Sequence, residues 1–124
     1  MKRLILSAMV ALSVSGCAMI PSFWDDNENH SIVVVVQEVD RIDCEKKNFD
    51  SLFLAKKETE WLLHYASIKG SNDVQSMVSK LDTTMKPIVE KAQSGDMSTP
   101  YCNLKKKVLQ GDSRRIAKAM LGRF

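Results

Sequence analysis

Three cysteines, two histidines and scattered carboxylates are the side chains of this 124-residue chain from which chemistry would have to be built. Cys17 ends an apolar stretch, Cys44 follows Ile42-Asp43, and Cys102 sits between Tyr101 and Asn103. A cysteine can act as nucleophile, metal ligand, half of a disulfide or point of attachment. Structural metal sites place ligands a few residues apart, and no Cys or His lies at such a spacing from any of the three. A nucleophilic thiol needs a base, which leaves His30 and His64 to consider. His30 falls in the polar run Asp25-Asp26-Asn27-Glu28-Asn29, and His64 flanks a helical apolar stripe, where it reads as a surface residue. Glu58 and Glu60, beside Trp61, read as the solvated face of that helix. No glycine-rich phosphate loop is present. These residues predict a protein that is not an enzyme, holds no metal or other cofactor and takes no small-molecule substrate.

What Cys17 does depends on what precedes it. The chain opens Met1-Lys2-Arg3, continues with apolar Leu4 to Val14 and leaves through the small residues Ser15 and Gly16. A charged start, a short apolar middle and a small-residue exit make a secretory signal. Eleven residues of helix rise only ~16 Å, about half of a bilayer's hydrocarbon core. Extending the segment to Ile20 barely reaches the spanning range and takes in three serines and a glycine, so an uncleaved anchor is the poorer reading. Val14-Ser15-Gly16-Cys17 resembles the lipobox of bacterial lipoproteins: an aliphatic residue, two small residues, then cysteine. That resemblance, which covers the first 17 residues, implies a diacylglyceryl group on the Cys17 thiol, cleavage before it and acylation of the new amine by a palmitate-type chain. Ala18, in place of the aspartate that retains many such proteins at the inner membrane, implies the periplasmic face of the outer membrane. An ordinary signal that happens to contain a cysteine is the plainer alternative. The resulting division is a signal peptide at 1–16, a lipid-anchored tether at 17–29 and a helical domain at 30–124.

With Cys17 assigned to lipid and the rest of the chain to an oxidising compartment, Cys44 and Cys102 remain as an even pair. They are expected to form a disulfide across 58 residues.

The elements read as helices. Five β-branched residues, Ile32 to Val36, favour a strand by propensity, but no other segment offers it a partner. At helical spacing Ile32, Val35, Val36, Val39 and Ile42 form one face, with Asn29 or Ser31 as cap. A second helix starts at Asp50 or Ser51, is expected to bury Leu54, Trp61, Leu62, Tyr65 and Ile68, and ends at Lys69-Gly70. The third has the clearest period: Val74, Met77, Val78, Leu81, Met85, Ile88, Val89 and Ala92, with Pro87 predicted to kink it near Thr83-Thr84 or break it. Thr99-Pro100 opens a fourth helix with Tyr101, Leu104 and Val108 inward; Gly111 ends it. Asp112 or Ser113 then starts a fifth, with Ile116, Ala117, Met120 and Leu121 inward. The fold class is all-α: a small four- to five-helix bundle with one disulfide, behind a lipid-anchored tether. Phe23 and Trp24 in the tether suit either a membrane headgroup layer or a dock on the domain.

Charge is uneven along the chain. Residues 25–50 carry eight acidic and three basic groups; residues 104–124 carry seven basic and one acidic. One reading has the two ends pack together and neutralise each other. The other gathers Lys105, Lys106, Lys107, Arg114, Arg115, Lys118 and Arg123 into a patch for an acidic partner or anionic headgroups. Nucleic acid is not expected, because no stacking aromatics are interleaved with these residues.

Two further resemblances give the functional expectation content. Lipobox, helices and one disulfide joining an early helix to a late one resemble the pilotins of type II secretion in layout; that implies a chaperone that grips a segment of an outer-membrane secretin. Stretches such as FWDDNE, DCEK, YCNLKKKVLQ and RRIAKAMLGRF resemble small lipoproteins encoded by marine tailed phages, which implies an envelope-modifying role such as exclusion of superinfecting phage. The expected function is a lipid-anchored, non-enzymatic envelope protein whose helical domain binds a protein partner at the membrane.

Overall fold

The computed structural model describes residues 21–124; the stretch read as a signal peptide and Cys17 lie outside them. Four helices are present, α1 (Asp26–Asp40), α2 (Asp50–Lys69), α3 (Asn72–Ser94) and α4 (Thr99–Leu121), joined by short connections so that neighbours run antiparallel. Each helix packs on two others: α1 on α2 and α4, α3 on α2 and α4. The chain is an all-α, up-and-down bundle, and the described residues contain no strand, only an isolated bridge between Asp43 and Asn48. No helix among them is long and apolar enough to cross a membrane.

α1 begins four residues inside the stretch read as tether. Asp25 adopts an extended backbone and its carboxylate accepts from the Glu28 N–H at 2.8 Å, satisfying a donor that the first turn leaves free. His30 therefore lies on α1, exposed. Ile32, Val35, Val39 and Ile42 are buried as their spacing predicts. The β-branched run is helical because its apolar face at this period has α2 and α4 to pack on, whereas a strand would have no partner.

α2 keeps two members of its expected stripe, Leu62 buried and Tyr65 half-buried, and overturns the rest. Leu54, Trp61 and Ile68 are exposed; Leu52, Ala55, Thr59, Leu62 and Ala66 face inward. The inner face alternates steps of three and four but contains small and polar residues. Alanines allow the neighbouring backbones to approach closely, and Thr59 satisfies its hydroxyl by donating to Ala55 O at 2.7 Å. The larger apolar residues lie one step around the helix.

α3 buries Val74, Val78, Leu81, Met85, Ile88 and Val89 and runs unbroken through Pro87. Pro87 lies on the exposed face, so its ring and missing donor affect only the solvent side. Gly95 ends the helix with φ 80°, a left-handed conformation that glycine adopts without penalty.

α4 is one helix where two were expected. Ser98 caps it by accepting from Tyr101 N–H, and it continues through Gly111 to Leu121. Cys102, Leu109, Ser113, Ile116, Ala117 and Met120 stay in phase on one face across the glycine, and this packing outweighs the glycine's entropy. Leu104 and Leu121 are exposed rather than inward, and Val108 is partly so. A Cβ at Gly111 would meet nothing within 4 Å. Gly111→Ala is expected to raise stability by about 0.5–1 kcal/mol in urea unfolding, with the midpoint moving and the slope unchanged.

Both ends of the bundle are fastened. At one, Cys44 in the α1–α2 connection is bonded to Cys102 in the first turn of α4, with Cα atoms 5.7 Å apart. At the other, the segment before α1 meets the residues after α4: Trp24 N–H donates to Phe124 O at 2.5 Å, and Ser22 N–H donates to Asp73 Oδ2 at 3.1 Å.

Candidate functional site

The residues considered for catalysis are dispersed. His30 and His64 are exposed on different helices. Glu58 accepts from Ser31 Oγ at 2.8 Å, joining α2 to α1, and Glu60 accepts from Lys56 Nζ at 2.9 Å one turn back along α2. Among the described residues no three His, Cys, Asp or Glu side chains are grouped to hold a metal ion.

The basic residues of the α4 segment are likewise spread out. Arg114 pairs with Asp40 at 2.9 Å, Gln110 donates to the same carboxylate at 3.0 Å, and Lys106 Nζ donates to Ile42 O at 2.7 Å. The acidic early segment and the basic late one are thus neighbours, as the neutralising reading of the charge distribution requires. Arg115 pairs with Asp112 at 3.5 Å, and Lys105 lies over the Tyr101 ring. Lys107 and Lys118 are exposed. Arg123 is buried and does not belong to any surface patch.

Arg123 instead enters an ionic cluster whose members are too far apart along the chain for spacing to connect them. Its Nε donates to Met120 O at 3.0 Å, Nη1 to Ser22 Oγ at 2.6 Å and Nη2 to Asn29 Oδ1 at 3.0 Å. Nη1 also lies 3.7 Å from Oε1 of Glu28, a carboxylate with no solvent exposure that accepts from Ser71 Oγ at 2.9 Å. Lys69 approaches Glu28 to 3.7 Å and binds Asp25 directly.

Burial by itself would raise the Asp25 carboxyl, but the Lys69 ammonium, the Glu28 N–H and the Tyr65 hydroxyl hold it below its ordinary value of 3.8. Asp73 is also held low: burial opposes this, and donation from the Ser22 hydroxyl and N–H outweighs it. Hydrogen bonding to Asp25 raises Lys69. Depressed carboxyls stabilise the fold above their unfolded value and lose that contribution as pH falls through the folded one. Stability is therefore expected to drop in acid, starting near pH 4, and Asp25→Asn is expected to flatten the drop in thermal melts taken from pH 7 to pH 2.

A groove of about 420 Å³ lies between α3 and α4. Met77 and Leu81 on α3 and Ile116 and Ala119 on α4 supply its apolar surface; Lys80, Thr84, Asp112 and Arg115 form the rims. Met77, Leu81 and Ile116 were expected to be core, and they do contact it, but each also faces the groove. Neither Trp61 nor Met85 fills this space. Met85 is in the core, and Trp61 stacks on Tyr65, centroids 5.0 Å apart, beside a shallower dent shared with Val34 and Leu54. The chain matches no protein-family model, and comparison with curated proteins and with solved structures gives no significant match.

Proposed function

We propose that this chain is a lipid-anchored envelope protein that acts by binding, not catalysis, and that it takes a short amphipathic segment of a protein partner into the α3–α4 groove. The groove carries this reading: it is open, apolar along its floor and charged on both rims, which is the arrangement of a helix-in-groove receptor. The dispersed histidines and carboxylates agree with it. The lipobox at Val14 to Cys17 supplies the location, and two or three acyl chains, at ~0.8 kcal/mol per buried methylene, anchor stably where one would not.

A photo-crosslinking residue placed at Thr84, whose hydroxyl only donates back to Lys80 O, reports from the groove; one at exposed Asn103 reports from elsewhere on the surface. An envelope-protein adduct from position 84 and not from 103 is expected. Thr84→Trp, which fills the groove, is expected to abolish capture of that protein while leaving the melting temperature within a few degrees. Adducts from neither position, or equally from both, would remove the groove as the site.

The pilotin-like variant of this reading is favoured by one observation, that the groove is not occupied by the chain's own Trp61 or Met85. It requires the captured protein to be a secretin and outer-membrane assembly of that secretin to fail without this chain. The phage-type variant requires that expression of this chain alone lower phage adsorption or DNA entry.

A further inference from the structure

The three most exposed large apolar side chains among the described residues, Phe124 (99 %), Ile68 (89 %) and Phe23 (84 %), all lie at the end of the bundle where residue 21 enters. Half-exposed Trp24 and Leu121 join them. Phe124 is placed there by its carbonyl bond to Trp24, and Ile68 by its neighbour Lys69, which holds Asp25. We propose that this end is a membrane-contact face that rests in the headgroup layer of the phospholipid bilayer, so that the bundle stands on the membrane instead of swinging from a loose leash. The proposal rests on lipidation at Cys17.

Chain length argues for this occupant. Cys17 lies four residues before Pro21, and an extended chain gains at most ~3.3–3.6 Å per residue, so Pro21 stays within about 14 Å of the lipidated residue. The segment that follows provides no further slack. Ser22 is held by Asp73 through its N–H and by Arg123 through its hydroxyl, and Trp24 by Phe124. The bundle must therefore follow its lipid, with this end nearest the surface.

Chemistry agrees with the geometry. Asp25 is bonded to Lys69 and Glu28 lies beside Arg123, which leaves two carboxylates at this end without a salt bridge, Asp73 bonded to Ser22 and exposed Asp26 bonded to the Trp24 indole. Trp24 donates through Nε1 to Asp26 at 2.6 Å and so keeps its indole nitrogen on the wet side of the ring. Aromatic rings with one polar edge are favoured at headgroup depth. Attraction arises from apolar burial, so contact is expected to change little with salt.

The chain's two tryptophans make the test internal. Trp61 lies eight residues before Lys69 on α2, ~12 Å farther from the membrane along the helix axis. Full-length lipidated Trp61→Phe (Trp24 as sole reporter) and Trp24→Phe (Trp61 as sole reporter) are reconstituted into phosphatidylethanolamine–phosphatidylglycerol vesicles carrying bromine on the upper acyl carbons. Trp24 is expected to shift to the blue and lose most of its emission, unchanged by high salt; Trp61 is expected to match its emission in unbrominated vesicles. If Trp61 is quenched as strongly, the domain lies on its side and the proposal is wrong. If neither is quenched although the protein floats with the vesicles, the anchor reading survives and the contact face does not. If a cross-linked dimer or a partner adduct instead protects Trp24 from lipid, protein covers the face and the proposal is overturned. Protein that neither floats nor carries lipid at Cys17 removes the anchor and this inference together.

Discussion

C44A/C102A is expected to lower the free energy of unfolding by about 4 kcal/mol, the chain-entropy value for a closed loop of this length. The bond joins residues 58 apart, and both sulfurs sit in the core. Alanine is the informative replacement, because a serine hydroxyl there would be buried without a partner and would add its own penalty. For a domain of this size the loss corresponds to a drop of roughly 20 °C in melting temperature. Urea unfolding of the variant beside the oxidised and dithiothreitol-reduced parent checks it: the variant and the reduced parent should agree. A loss below about 1 kcal/mol would show that the denatured chain is already constrained where the disulfide acts.

Arg123→Met is expected to cost about 3 kcal/mol although it removes no apolar contact. The guanidinium makes three hydrogen bonds and is the cation nearest the fully buried Glu28 together with Lys69. Oε2 of Glu28 already lacks a hydrogen-bond partner, so losing Arg123 leaves a buried carboxylate with the Ser71 hydroxyl on Oε1 and Lys69, at 3.7 Å, as its remaining cation. Stranding one member of such a pair is worth 3–5 kcal/mol, and the remaining ammonium places the value at about the lower end. E28Q/R123M is expected to recover part of it, since a neutral amide tolerates the site better than an orphaned charge. The double-mutant cycle measures the coupling. Additive effects of the two substitutions would show that Arg123 acts only through Ser22, Asn29 and Met120.

Particular residues explain what could be read from the sequence. α3 was legible because its buried positions are all aliphatic or methionine, so its period is visible without context. The Cys44–Cys102 bond was legible because only two cysteines remain once Cys17 is set aside. α2 was misread because Ala55, Thr59 and Ala66 make the inner face while Leu54, Trp61 and Ile68 do not. Hydrophobicity ranks the wrong stripe when close helix approach favours small residues. The start of α1 was hidden because Glu28, Asn29 and Ser31, all polar, are buried there. Gly111 was read as a stop because the sequence does not show the packing on either side of it. The groove was not legible as a site at all: Leu81 and Ile116 are core residues that line it from beneath, and Met77, half-buried, looks in sequence like any other member of the α3 stripe.

The covalent bond at one end and the ionic clasp at the other also determine how the molecule would carry tension. With the proposed anchor at Cys17, a pull between that residue and a partner attached to α4 beyond residue 102 would reach the clasp of Ser22, Arg123, Trp24 and Phe124 first, and those bonds must rupture before α1 peels. Peeling then halts at Cys44, where force passes through sulfur into α4. The chain between the two cysteines, including all of α2 and α3, is bypassed and bears no load. Such a build suits a part that is tugged from opposite sides and must keep its shape.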